Sequence, residues 1–579
     1  MSHRLRQKRQ QLLADETGCT PKAWGGRLSV ALVYPNTYYH AMSNLGFQAV
    51  YQLIQQREDC LCERFFLPDR EDLELHHKTS TALVSLESGR ELNNFDIVAF
   101  SLSFENDYIN LPTIFSLAHL PLWSEQRTEE HPLFIAGGIC AMLNPEPIAD
   151  FIDLFVIGEA EVLLGELLDA ALQDCNRGSI LEQLARARGF YVPSLYTITY
   201  ADDGTVEDIV SRCGASFPVQ RCWLADLDDS RCQSLIKTPH TAFGNMDLIE
   251  VSRGCSRGCR FCATGFAYLP PREKSAAKVL EQLQSHLEVS STAGLVGAAV
   301  SDYSNLDEVT KQVIAQGADV SVASLRVDTM TREQVRVLKQ GGQKTLSLAP
   351  EAGSQRLRDV INKNLSEEQI ISAVEIMAQE QILNLKLYFL IGLPTEQPED
   401  IAELIALTEK IRQVWIAAQR QHGRLGTITL SVNPFIPKPQ TPFQWSGMAN
   451  IATLKKTIST LRKQVNRMAN TKLQVESLRS AELQAVLAGG DRRIAHILPE
   501  LSNGDNLKAA CRKHELDPKF YAQRLRHQHE VLPWDVLASG VTRSYLWHEY
   551  QQGLNGALTR PCNNDCHRCG VCAPTARQI

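Results

Sequence analysis

No run of the 579 residues is long and apolar enough to cross a bilayer; the longest, such as Ile97–Phe100 and Leu387–Leu393, have the length of buried strands. The start, Met1-Ser-His-Arg-Leu-Arg-Gln-Lys-Arg, lacks the apolar h-region of a secretory signal. Basic charge is not in excess either. Lys+Arg number 59 against Asp+Glu 66, a formal charge of −7, which argues against gripping nucleic acid mainly through a basic surface. No internal repeat is present. With 44% apolar and 22% charged residues, the composition lacks the signature of disorder, so only the two ends are expected to be unstructured. Together these absences predict a cytoplasmic globular protein that does not enter a membrane and does not grip nucleic acid mainly through a basic surface, with a local basic groove still open to it.

At this length one hydrophobic core is too few, and three or four domains are expected. Sixteen cysteines are many for a reducing compartment, where metal or redox chemistry explains them better than disulfides. Seven lie in two tight clusters; the other nine are scattered and read as small buried hydrophobes.

The pattern along the chain is α/β. After an N-terminal extension (1–26), residues 27–180 alternate short apolar strands (Leu28–Tyr34, Asp96–Ser101, Leu133–Ala136, Leu154–Ile157) with helical segments, which predicts a doubly wound parallel sheet. Residues 181–245 read as a β insert or linker, with strand-like Tyr196–Tyr200 and the turn Asp202-Asp-Gly-Thr. Between 246 and 445 six further strands are expected at Leu248–Ser252, Leu295–Val300, Val320–Ser324, Thr345–Ala349, Leu385–Ile391 and Ile428–Val432. Six β/α units predict a partial (β/α)6 TIM-like barrel with its chemistry at the C-terminal strand ends. Ile451, Leu454, Ile458, Leu461, Val465 and Met468 then open a helical C-terminal region (446–560), and a cysteine-rich tail (561–579) closes the chain.

Directly after the first barrel strand stands Cys255-Ser-Arg-Gly-Cys259-Arg-Phe-Cys262, with spacing C-x3-C-x2-C. A 4Fe–4S cube takes one thiolate per iron, so three cysteines leave one iron open for chemistry. Gly254 and Gly258 let the backbone wrap the cube, and Phe261 is an apolar neighbour able to limit solvent. A structural zinc site would need a fourth ligand, and none stands nearby.

This motif, with an aromatic before its last cysteine, resembles the signature of the radical S-adenosylmethionine (SAM) superfamily. The resemblance implies that the amino and carboxylate groups of SAM chelate the open iron. One electron then cleaves SAM to methionine and a 5′-deoxyadenosyl radical that abstracts hydrogen. It also places SAM contacts after successive strands. Asp302 stands where many members carry a Gly-Gly-Glu, Ser324 and Arg326 follow the third strand, and Glu351 in Ala349-Pro-Glu-Ala-Gly353 follows the fourth. Each has a plainer role as well: a loop cap for Asp302, a solvated charge for Arg326, a helix N-terminus for Glu351. Tyr388-Phe-Leu-Ile-Gly392-Leu-Pro394-Thr-Glu396 and Asn433-Pro-Phe-Ile-Pro437-Lys-Pro439-Gln-Thr-Pro442-Phe-Gln-Trp445 resemble strands five and six of one branch. That branch contains the elongator acetyltransferase, the methylthiotransferases and the nitrogenase cofactor maturase.

The N-terminal domain resembles the cobalamin-binding type fused ahead of such barrels, with Ser101-Leu-Ser103, Gly137-Gly138 and Gly158-Glu159-Ala-Glu161 after strands. The cobalamin signature Asp-x-His-x-x-Gly is missing, and the corresponding stretch offers only His40, which serves equally as a structural residue. The tail Cys562-Asn-Asn-Asp-Cys566-His-Arg-Cys569-Gly-Val-Cys572 suits either a second Fe–S cluster or a zinc, with His567 to spare. The whole layout resembles one prokaryotic family with a cobalamin-type domain, a radical SAM core and a terminal cysteine-rich tail. That resemblance implies a radical SAM enzyme of open substrate, served by a small electron donor such as flavodoxin or ferredoxin, with cobalamin-dependent methyl transfer as one use of the site. A methylthiotransferase-like enzyme acting on RNA or protein, and a non-catalytic cobalamin or Fe–S sensor, are the alternatives. No catalytic acid or base can be named.

Overall fold

The computed structural model describes residues 2–572 apart from 175, 245, 285–291, 323–325, 341, 421–422, 424 and 564. The first sheet contains β1 (Leu28–Tyr34), β2 (Cys60–Phe66), β3 (Ile97–Ser101), β4 (Leu133–Gly137), β5 (Leu154–Val156) and β6 (Phe190–Tyr191), in the order β2-β1-β3-β4-β5-β6. All neighbours are parallel except β6, which pairs antiparallel with β5. Every residue of β1 is buried, as expected of a strand covered by helices on both faces. The helices Leu45–Gln56 and Ala160–Gln173 pack together on one side. On the sheet, Phe115 of the helix Leu111–Leu117 stacks on Phe134 with ring centres 4.8 Å apart. The order reverses between β1 and β3, and ligands of such sheets bind outside the strand ends at that switch point.

The N-terminal extension is built into this domain, contrary to the expectation of an unstructured end. Residues His3–Ala14 form a helix capped by Ser2, and Lys8 is ion-paired to Asp69 and Asp72. Glu16 is buried, accepting from Arg64 Nη1 at 2.9 Å and Nη2 at 2.7 Å and from the Tyr38 hydroxyl at 2.6 Å. Arg64, itself buried, donates from Nε to Glu87 at 2.6 Å. Polar spacing alone did not reveal this anchor, because Glu16 finds its partners only when β2 is in place.

Next come the hairpin β7 (Tyr196–Tyr200) and β8 (Val206–Ser211), and β9 (Val219–Gln220). The barrel follows as two parallel arcs. One holds β10 (Asp247–Glu250), β13 (Thr292–Val296) and β14 (Asp319–Val322); a short antiparallel pair, β11 (Ser252–Arg253) and β12 (Arg272–Glu273), lies between the first two in sequence. The other holds β15 (Thr345–Glu351), β16 (Asn384–Ile391), β17 (Ile428–Pro434) and β18 (Thr471–Val475). All six expected strands are present, and β18 is a seventh that its mixed polar sequence hid. On β16 the residues Leu385, Leu387, Phe389 and Ile391 are buried, whereas Lys386, Tyr388 and Leu390 between them are partly accessible. This alternation separates the packed face from the barrel interior.

The helical C-terminal region folds back over both domains. Asn144 donates to the carbonyls of Ala488 and Gly490 at 3.0 and 2.8 Å, and Lys438 and Gln484 both bind the buried Glu105, at 2.6 and 2.9 Å. Its β19 (Leu537–Ala538) pairs with β9. Among the described residues no helix is long and apolar enough to cross a membrane.

Replacing Glu16 by Ala leaves part of a buried guanidinium and a tyrosine hydroxyl without their acceptor. The expected loss is about 3 kcal/mol of stability, read as a lower urea midpoint. A shift smaller than about 0.5 kcal/mol would mean that the extension is not anchored this way.

Candidate metal and cofactor site

Strand β10 ends at Glu250, and the pairing of Ser252 with Glu273 and of Arg253 with Arg272 pinches the following segment into a closed loop. Gly254 turns the chain into that loop with φ +82°, and a Cβ there would lie 2.5 Å from the Tyr268 carbonyl oxygen, so only glycine fits. The loop carries Cys255, Cys259 and Cys262. Asn362 holds its crest, donating to the carbonyls of Arg257 and Gly258 at 3.3 and 3.2 Å. Arg260 is fully buried behind it. Its guanidinium donates to Glu549 at 3.1 Å, to the carbonyls of Asp359 and Val360 at 3.0 Å each, and to that of Ala557 at 2.7 Å. Phe261 packs against the apolar cluster that contains Phe266, Leu357, Phe435 and Trp445.

Burial pushes the Cys262 thiol up to about 12, and nearby Cys259 adds to the shift. Burial also raises Cys259, opposed by the positive charge of Lys363 and Arg326 and reinforced by Cys255 and Glu351. Thiols in this state hold their protons until a metal displaces them. Three thiols on one loop, with two cations in electrostatic reach, suit a cluster that carries negative charge. Among the described residues no three His, Cys, Asp or Glu side chains converge on a single ion. A cube asks less than that, since each thiolate binds its own iron.

The expected SAM contacts gather around the same loop. Asp302, in the turn Val300–Asp302 after β13, accepts from Arg257 Nε and Nη2 at 2.9 and 2.7 Å, so both its oxygens face the cysteine loop. Arg257 also reaches Asp328 at 2.8 Å, and Arg326 donates to Asp328 at 2.9 Å. Glu351 ends β15 with φ +66°, after a register shift, and lies 3.4 Å from Lys363; burial raises its carboxyl against that charge. Ser324 lies outside the described residues. Arg257, Arg260, Lys363 and Asp328 were not singled out from the sequence. Two arginines spaced between the three cysteines were the available signal for the first pair, and nothing local marked the others.

Ser101, Gly137 and Gly138 line one cavity of about 540 Å³. Gly138 has φ +104°, and a Cβ there would meet the Leu102 carbonyl oxygen at 2.4 Å. The cavity starts as an apolar slot between the sheet face (Val30, Leu32, Ala99) and the helices (Val50, Leu53, Leu164), passes the strand ends and reaches Leu248, Arg253 and Gly254. His40 is exposed, hydrogen-bonded to Thr37 at 3.0 Å, and does not line it. At its inner end Arg253 binds Glu159, Glu161 and Glu250 at 2.7 Å each, and Arg272 binds Glu159 at 2.7 Å. Burial alone would raise the Glu159 carboxyl, but hydrogen bonds from Arg272 and the charge of Arg253 bring it below its ordinary value. Of the tail, Cys562 and Cys572 line a second cavity, of about 560 Å³, together with Cys255. Cys569 is buried, and Cys566 and His567 stand nearer the surface.

The model of the radical SAM superfamily matches residues 249–408, and that of the N-terminal region of radical SAM proteins matches 46–193. The chain belongs to the radical SAM superfamily and is an enzyme of that class, which implies a 4Fe–4S cluster and SAM as cofactors. It is 29% identical over 494 residues, 85% of its length and 95% of the other's, to uncharacterized protein MJ0966 of Methanocaldococcus jannaschii. It is 23% identical over 336 residues, 55% of this chain and 68% of the other, to the uncharacterized methyltransferase PH0819 of Pyrococcus horikoshii. Among solved structures, the cobalamin-dependent SAM radical enzyme OxsB with aqua-cobalamin and SAM bound aligns with a TM-score of 0.45 and 12% identity, over 91% of this chain and 79% of that one.

Removing the Arg260 side chain should lower the stability by about 3 kcal/mol and cut the iron retained after anaerobic reconstitution, with Arg260→Lys in between. Unchanged iron in Arg260→Ala would show that the loop holds its shape without that anchor. Glu396 makes a separate, pH-dependent prediction. Burial raises its carboxyl from 4.5 to about 7, although the Gly392 N–H bonds its two oxygens at 3.0 and 2.9 Å. The native state therefore binds more protons than the unfolded chain across that window, and this contribution to stability is lost as pH rises through about 7. Glu396→Gln should flatten the fall of Tm between about pH 5 and 8 and be the more stable protein at the upper end, as differential scanning calorimetry would record.

Proposed function

We propose that this enzyme binds cobalamin in the N-terminal cavity and uses it with SAM to transfer a methyl group. One observation carries the reading: a single cavity runs from an apolar slot under the switch point of the first sheet to Gly254, the residue before the first cysteine of the barrel loop. The slot suits the flat apolar base of a nucleotide tail. The glycine and serine strand ends (Ser101, Gly137, Gly138) let a wide ring lie close to the backbone. When bound, the cofactors supply a one-electron cleavage of SAM and a methyl carrier.

The residues of the chain do the holding and the screening. Cys255, Cys259 and Cys262 hold the cluster, and Phe261 shields it. Lys363 and Arg326 offset its charge. The Arg257–Asp302 pair and Glu351 frame the place where the amino and ribose groups of SAM would lie, with Arg326 available to its carboxylate. Arg253 and Arg272, pinned by Glu159, fix the wall between the two cofactors. A flavodoxin or ferredoxin would supply the electrons. The similarity to a protein named as a methyltransferase favours the same reading.

Anaerobic purification with hydroxocobalamin should yield about one corrinoid per chain by its visible spectrum, and reduction with dithionite should release 5′-deoxyadenosine from SAM. Ala49 lines the slot, so Ala49→Trp should lower bound corrinoid at least about tenfold while iron is retained. Wild-type protein that takes up iron but no corrinoid would sink the proposal.

A further inference from the structure

The tail is tied to the barrel loop. The Cys562 N–H donates to the carbonyl of Ser256, the residue after Cys255, at 2.7 Å. Asn362, which holds the loop crest, also accepts from the Thr559 N–H at 2.9 Å, and Arg260 reaches Thr559 Oγ1 at 3.2 Å. The far end is fastened as well: the Thr542 N–H donates to the Cys569 carbonyl at 2.8 Å, and Cys569 and Val571 are buried in the apolar cluster under Phe261. Cys566, Cys569 and Cys572 are all in electrostatic reach of Cys562, and Cys569 is in reach of Cys566 and Cys572 as well. Arg568 closes the turn over them, donating to Cys566 Sγ at 3.2 Å and to the Arg560 carbonyl at 2.7 Å. Four thiols therefore stand on one short fastened segment: Cys562 and Cys572 open into the cavity that Cys255 lines, Cys566 is partly exposed and Cys569 is buried behind them.

We infer that Cys562, Cys566, Cys569 and Cys572 hold a second iron–sulfur cluster that relays electrons from an external donor to the cluster of the barrel loop. One electron leaves the reduced tail cluster and enters the oxidised barrel-loop cluster. The tail cluster is reduced again by a one-electron carrier of the flavodoxin or ferredoxin class, and no atom or proton is exchanged. The placement is the argument. A structural zinc could hold the tail anywhere on the surface, whereas a redox centre serves the barrel loop only from beside it. The inference depends on the barrel-loop cluster and not on cobalamin.

Metal analysis of reconstituted Cys255→Ala/Cys259→Ala/Cys262→Ala tests the site before any activity is measured. About four iron and four sulfide per chain are expected; zinc, or iron without sulfide, overturns the inference. In reduced wild-type protein, electron paramagnetic resonance should show two clusters broadened by each other. Cys562→Ser and Cys572→Ser, which change partly exposed positions and leave the buried Cys569 in place, should each narrow the barrel-loop signal. Each should also slow flavodoxin-driven SAM cleavage by about tenfold. Two independent signals and an unchanged rate would overturn the relay even with iron in the tail.

Discussion

A guanidinium enclosed between two sheets has to be neutralised where it stands, and Arg253 is neutralised from both. Glu250 comes from the strand that leads into the cysteine loop, while Glu159 and Glu161 come from the start of the helix that follows β5 of the N-terminal sheet. Because Gly254 and Cys255 follow directly, the ion pairs that seal the domain interface also set the root of the metal loop. Arg272, on the returning strand, binds Glu159 as well. Displacing the N-terminal sheet would leave Arg272 without its carboxylate and Arg253 with Glu250 alone, which costs far more than losing exposed pairs.

The rest of the architecture extends this coupling. The N-terminal cavity ends at the same wall, so whatever fills it touches the residues that orient the loop. On the opposite side Arg260 and Asn362 bind the loop to the C-terminal helix and the start of the tail. The cysteine loop is thus held by one domain at its base and by another behind its crest. Its outward side is left for ligands.

The strands of both sheets were legible because buried parallel strands are continuous apolar runs: Leu28–Tyr34 and Ile97–Phe100 can hardly be anything else. Strand β18 escaped because it lies at the edge of its arc, where Lys472 and Gln474 remain exposed and the apolar pattern is broken. The strand expected at Leu295–Val300 lies earlier, at Thr292–Val296, since Gly297-Ala298-Ala299 continue the small apolar composition past the last ladder bond. The extension looked loose because it is polar, yet its charge is buried at Glu16.

Spacing within a few residues determined which thiols share a segment of chain. C-x3-C-x2-C keeps three thiols on one short loop whatever the rest of the chain does, and the tail keeps four within eleven residues. What stands opposite those thiols was decided only by the tertiary structure. Arg257 meets Asp302, Arg260 meets Glu549, and Cys562 meets Ser256 across long separations in sequence. Such pairs form when the barrel closes and the last helix docks, and an isolated charge or thiol carries no local trace of the partner that folding will bring to it.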